Sequence, residues 1–544
     1  MHAQKLWPRM LSAVLLLSPA VNRPSSADRP LDIAASEQCA PLPPPSGNVV
    51  TVSTVLELES AVNNAASGTT ILVTDGIYNL NGVYLRFDTP GVTLRAASGN
   101  REAVILDGNY QTTEIVQVVA SNVTIADLTL REAYYHPIHV MSTDSASTNN
   151  TLIYNVHIID PGEQAIKINP VPGGYYTDSG VIACSHIELT NAGRPYIRNN
   201  CYTGGVDAHQ SRDWVIRDNL IEGFWCDSGL SEHGIHLWRT CRDPIVERNI
   251  LRNNARGIGF GLATSGDGRV YPDDACPYTT GYVDHYRGVI RNNFVSADDP
   301  DLFASEYGFD CGLCLWNACS VQTFHNTVYT ANSGATFSSI EWRFANTRVE
   351  LTNNLVNHTL RERDGASATQ SGNVTNALAS WFVNAASGDL HLVSTATNAI
   401  DRVTAPSGVT DDVDGDPRPI GALSDVGADE YGAPPPNAVM DLHVTHAVTS
   451  TGVLTATLRW TAPTNAVTIT LRYSATLITE ANWASAALFG SWVGSTNAYT
   501  GTLLYTGGAV YWALKSQNAD GAGSALSNNA FWPHFDVYLP VVRR

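Results

Sequence analysis

Lysine is nearly missing from this chain. Its 544 residues hold 32 Lys and Arg together, and only Lys5, Lys167 and Lys515 are lysines. Charge is sparse at 15%, and the formal net charge is −19. Nucleic acid and anionic membrane are therefore poor default partners, since both call for clustered cations. A polyanionic substrate still fits if a local basic patch receives it. Beyond the N-terminus no apolar run reaches the length of a membrane span. Sustained helical periodicity is also scarce. What is plentiful is Gly, Asn, Thr and Ser between short alternating apolar runs, the composition of an all-β, turn-rich exported protein.

The N-terminus supports export. Lys5 and Arg9 precede a short apolar core at 10–21, and "SSA" before Asp28 offers a small-residue cleavage site. Residues 1–27 read as a signal peptide, 28–48 as a Pro/Ser-rich linker, and the mature protein as secreted or cell-surface. All nine cysteines lie between Cys39 and Cys319, where an oxidising compartment favours disulfides. Cys184 with Cys201 and Cys226 with Cys241 bracket suitable loops. Cys276, Cys311, Cys314 and Cys319 supply one or two further bridges, and the odd count leaves a thiol over. "CGLC" at 311–314 also has zinc-like spacing, without a second matching pair.

From about residue 121 the chain repeats. Runs such as "LIYNVHI", "VIRDNLIEG", "IVERNILRN", "VIRNNFVS", "VQTFHNTVY" and "VELTNNLVN" alternate with "PIHV", "AIKI", "GVDA", "GIHL", "GIGF", "GLCL" and "SIEW". Self-similarity at a few tens of residues marks a solenoid, and period-two alternation makes its units strands. The recurring Asn155, Asn219, Asn249, Asn293, Asn326 and Asn354 suit an inward ladder with a rise of about 4.8 Å per coil.

These runs, together with the opening "VSTVLELESAVNNAASGTTILVTDGIYN" at 52–79, resemble the right-handed parallel β-helix of the pectin-lyase-like superfamily. The opening is similar to that of chondroitinase-B-type and alginate-lyase-type polysaccharide lyases. The resemblance implies a β-helix over 49–431 with a helix capping its first coil. "DDVDGDPRPIGALSDVGADEYG" (411–432) reads as its close. Asp412, Asp414 and Asp416 there form a turn rather than an EF-type calcium loop, because no later Glu falls in register. After a linker at 432–437, residues 438–531 resemble a fibronectin type III domain, a β-sandwich with Trp460 and Tyr511 as core aromatics. Residues 532–544 form a C-terminal tail.

In each "GIHL"-type strand the apolar pair faces in, so the residue between them faces out. One outward column runs His139, Lys167, Asp207, His236, Gly259, Cys314, Glu341. One pleat along lie Met141, Asn169, His209, Trp238, Gly261, Trp316 and Arg343. Glu163, Glu232, His233 and Arg256 flank the strands. Gly259 and Gly261 leave a gap, the usual mark of a closely approaching ligand.

For β-elimination on a uronate, Lys167 is the expected base, its pKa lowered by nearby His139 and His236 and by partial burial. His209, His236 or Arg256 is the acid. Glu163, Asp207 and Glu232 are the ligands for a Ca²⁺ ion that meets the substrate carboxylate. His139, Trp238, Trp316, Glu341 and Arg343 are substrate-binding candidates. Nothing calls for an organic cofactor. The resemblance implies the Lys–Ca²⁺ pairing, and only Lys167 matches by position. Two other readings stay open. One is hydrolysis or epimerisation on the same fold, with Asp207 and Glu232 as the hydrolytic pair. The other is a non-enzymatic surface protein that binds polysaccharide.

Overall fold

The computed structural model describes residues 39–532, apart from 274, 433–435, 451 and 519–522. The expected signal peptide, the tail from 533 onward and half of the 432–437 linker lie outside the described residues.

Three long parallel sheets make up the larger part. One turn of chain shows the plan. Leu152–Tyr154 lies in the first sheet, His157–Ile159 in the second and Gln164–Asn169 in the third, and Val181–Ala183 then returns to the first. Strand follows strand in this order across 14, 10 and 10 strands, as a parallel β-helix requires. The inward pairs Ile166/Ile168, Ile235/Leu237 and Ile258/Phe260 are all buried in one continuous core. Each such side chain contributes about 1.5–3 kcal/mol by leaving water.

The tight corner from first to second sheet accounts for the Asn repeat. Asp218, Arg248, Asn292, His325 and Asn353 turn the chain with φ between 51° and 61°. The residue that follows each is the buried Asn. Asn219 Nδ2 donates to Asn249 Oδ1 at 2.9 Å, and the bond recurs from Asn249 to Asn293, Asn293 to Asn326 and Asn326 to Asn354 at 2.9–3.0 Å. Asn373 extends the ladder beyond the expected set. Asn155 does not belong to it. It occupies the corner itself, with φ 50°, and donates to Asp127 instead.

The helix Val55–Asn63 covers the first coil with buried Leu58 and Val62. Its start is capped by side chains: Glu57 N donates to the N-cap Thr54 Oγ1 at 3.2 Å, and Ser53 N, one residue earlier, donates to Glu57 Oε2 at 2.8 Å. Asp412 Oδ1 accepts from Asp414 N and Asp416 N, which makes that acidic stretch a turn.

The C-terminal part holds a three-stranded and a four-stranded antiparallel sheet, which share one core as a sandwich does. Trp460 is buried in it. The other expected aromatic is off by one residue: Trp512 fills the core, while Tyr511 faces outward beside Phe531.

The disulfides join Cys39 to Cys184, Cys201 to Cys226, Cys276 to Cys319 and Cys311 to Cys314. The expected pairs 184–201 and 226–241 do not form. Sequence neighbours across a loop end on different coils, and Cys39 reaches a corner far along the chain. Cys241 is the free thiol, and burial pushes it up to about 12.

Candidate active site

The outward column holds its expected register. His139 pairs with Lys167, Lys167 with Asp207, Asp207 with His236, His236 with Gly259, Gly259 with Cys314, and Cys314 with Glu341. His209 pairs with Trp238, and Trp316 with Arg343.

Lys167 is the centre of a tight cluster. Its Nζ donates to Asp207 Oδ2, donates to Tyr202 Oη at 3.0 Å, and lies 3.3 Å from His209 Nε2. His209 Nε2 is 3.2 Å from the same Asp207 oxygen. Trp238 Nε1 donates to the other, Oδ1, at 2.7 Å. Asp207 is fully buried. Burial opposes its charge, but Lys167 and His209 hold it well below the usual carboxylate range.

This geometry reverses one expectation. Burial does pull Lys167 down, but Asp207 and Tyr202 outweigh it and the ammonium is held above its ordinary value. The nearest charge is a directly paired carboxylate, not the two histidines. His209 moves the other way. Burial lowers it, with Asp207 opposing, so the ring is neutral at pH 7. Tyr202 is raised by burial and by Asp207, so it keeps its proton.

The three acids expected to ligate Ca²⁺ do not converge. Glu163 accepts from Asn199 and faces His136 Nε2 at 3.7 Å, Asp207 is saturated as above, and Glu232 Oε2 sits 2.9 Å from His236 Nδ1. The residues do not fit a calcium cage. Asp207 is ill placed for hydrolysis, since it is buried with one oxygen bonded to Lys167 and the other to Trp238, and its depressed pKa keeps it from donating a proton.

The glycine gap is filled. A Cβ on Gly259 would lie 2.5 Å from the His233 ring, and one on Gly261 would lie 2.0 Å from the Trp316 carbonyl. The glycines admit a side chain and a backbone of the protein itself, not a ligand. His236 is fully buried, stacked on Trp238 with centroids 5.2 Å apart. Arg256 is held by Asp310 at 2.8 Å and lies over Trp316. Trp316 is itself buried and donates to Glu341 Oε1 at 2.8 Å, and Arg363 donates to that oxygen at 2.9 Å. Arg343 donates to Asp364. At the other end His139 lies between Glu114 at 2.8 Å and Asn169 at 2.6 Å.

Tyr202 was missed because it sits in the loop before the strand Gly204–His209. Its one signal is its neighbour: the Cys201–Cys226 bridge pins that loop over Lys167. A cavity of ≈750 Å³ lined by Arg194, Trp225, Asp227 and Asp301 shares this disulfide but contains none of the column.

No family model matches the sequence, and no curated protein does. Among solved structures, the chain is similar to an alginate lyase from Paenibacillus sp. str. FPU-7 at 14% identity, covering 61% of this chain and 99% of that one with a TM-score of 0.39. It is similar to a rhamnogalacturonan lyase at 11%, covering 64% and 97%, TM-score 0.32, and to XylC in complex with xylose at 11%, covering 74% and 86%, TM-score 0.34. Superpositions this loose carry nothing about chemistry. The fold stands on the strand pairings.

Proposed function

We propose that this chain is an exported polysaccharide lyase of parallel β-helix build, with a fibronectin type III-like module behind it, that cleaves an acidic polysaccharide by β-elimination. The observation that carries the reading is the cluster of Lys167, Tyr202 and His209 around buried Asp207. It supplies the three things a uronate elimination needs.

Lys167, held charged by Asp207, neutralises the uronate carboxylate and so acidifies the C5 hydrogen. It is a poor base for the same reason. The neutral His209 ring, whose Nε2 lies 3.3 Å from Lys167 Nζ and 3.2 Å from Asp207 Oδ2, accepts the C5 proton. The C5–H electrons form the C4=C5 double bond, the C4–O bond breaks, and Tyr202 Oη protonates the leaving oxygen. Lys167 Nζ, already donating to that Oη, stabilises the phenolate left behind. His209 then returns its proton through solvent.

The test is incubation of the full chain with a panel of polyuronates and neutral glycans, following the ultraviolet absorbance of unsaturated uronate. Absorbance gain on a uronate and not on neutral glycans supports lyase action. Reducing ends without absorbance would make it a hydrolase, and binding without new ends an adhesive protein.

A further inference from the structure

The segment Glu232-His233-Gly-Ile-His236 contains polar atoms that the lyase chemistry does not use. Glu232 Oε2, a ring nitrogen of His233 and a ring nitrogen of His236 all lie within 4.8 Å of one another. Both histidines are 0% exposed. Neither nitrogen of His233 has a hydrogen-bond partner, and neither do His236 Nδ1 and Glu232 Oε2. A buried polar atom left this way is destabilising, so four in one place call for an explanation.

The pair His236 Nδ1 and Glu232 Oε2 gives it. They are 2.9 Å apart, within reach of a hydrogen bond, yet the ring nitrogen does not aim at the oxygen. On its far side His236 Nε2 contacts the Gly261 carbonyl at 3.3 Å, which places the proton on Nε2 and the lone pair on Nδ1. Two acceptors therefore face a common point beside the line that joins them. Ligand atoms around a shared ion look like this: at metal bonds of roughly 2.0–2.1 Å, two donors 2.9 Å apart subtend about 90°. The Gly261 contact is the outer support that fixes the tautomer of a ligating imidazole. His233 Nδ1 lies 3.9 Å from the same Glu232 oxygen.

We propose that Glu232, His233 and His236 form a binding site for one divalent transition-metal ion of the zinc class. Two imidazoles and one carboxylate select such an ion over calcium, which takes oxygen ligands. Trp238 stacks on His236, and Trp316 meets His233 edge-on at 5.9 Å, which forms a dry wall. Glu232, with 16% of its side chain exposed, is the way in. His233 also lies within 4.8 Å of the sulfurs of Cys311 and Cys314. In their disulfide they offer no thiolate, so the ion is held by the carboxylate and imidazoles alone. The site stands whether or not the neighbouring cluster is a lyase.

The experiment is titration of chelator-stripped full-chain protein, its disulfides verified intact by mass mapping, with Co²⁺ and then Zn²⁺. The expected result is one Co²⁺ per chain with visible d–d bands, displaced by Zn²⁺, and a raised melting temperature. His233→Ala abolishes the bands. Should that variant misfold, the near-isosteric Glu232→Gln weakens Co²⁺ binding at least tenfold while keeping the fold. Wild-type protein that binds neither ion overturns the proposal, as does binding unchanged in both variants. An intense thiolate-to-cobalt charge-transfer band also overturns it, because the ion would then sit on the cysteines. None of these readouts depends on turnover, so a silent lyase assay leaves the metal result intact, and the reverse holds too.

Discussion

Two stacks of polar side chains run along this molecule, and they differ in one respect. In the inward ladder from Asn219 to Asn354 the side chains are buried and each amide bonds its neighbour and the backbone. Asn249, for example, donates to the Ile216 carbonyl and accepts from the Asn219 amide N–H. The outward column from His139 to Glu341 is just as regular in register but not in satisfaction. Lys167 and Asp207 pair with each other, while His233 and His236 next to them retain bare nitrogens. Identical residues repeated and fully paired make a support. Dissimilar residues with atoms left over make a place for something else to bind.

The comparison breaks first at His209. His209→Gln keeps the size and polarity of the side chain but removes the proton acceptor. Turnover on the accepted uronate falls by about 10²–10⁴-fold, while urea unfolding barely changes. A variant that keeps its rate moves the base elsewhere.

Next comes Lys167→Met. It leaves Asp207 buried without its main counter-charge, at a cost of about 3–5 kcal/mol in urea unfolding. The pair also sets a pH window. Asp207 is depressed below 3.8, so its contribution is present above that value and is lost as pH falls through its folded pKa. Lys167 is raised above 10.5, so its contribution is present below that value and is lost as pH rises through its folded pKa. The stability difference between wild type and Lys167→Met should hold a plateau between the two limits, whatever other groups titrate there. A change in that difference near pH 6 would point to a different pair.

Third, Asn249→Ala should cost about 1–3 kcal/mol for each ladder group it orphans and leave kcat/KM unchanged. A loss of rate without a loss of stability would erase the distinction between the two stacks. Smallest is Cys241→Ala, about 1 kcal/mol. The buried thiol, with its pKa up at about 12, should resist alkylation until the chain unfolds.

Strand register was legible because side-chain direction has a period of two, and a buried core punishes a slip of one. That gave the inward pairs and every member of the column. Asn155 was misplaced because "YNV" and "DNL" look alike, while the corner residue and the ladder residue after it both accept asparagine. What crosses between coils was not legible. The His233 ring over Gly259, the Tyr202 contact and the disulfide pairing depend on loops whose paths no alternation encodes. The rise in Lys167 could have been read from its direct pairing with Asp207, had that carboxylate been weighed before the histidines.

The most direct test of the central assignment, neutral His209 as base with charged Lys167 as neutraliser, is the pH profile of kcat/KM for unsaturated-uronate release. His209 is depressed below 6.5, so the rate should fall only as pH drops below that value. Lys167 must stay charged and Tyr202 protonated, and both are raised, from 10.5 and 10.0. The rate should therefore stay level from neutrality to about pH 10. A rate that climbs tenfold per pH unit through neutrality toward pH 10 would make Lys167 the base and contradict the account.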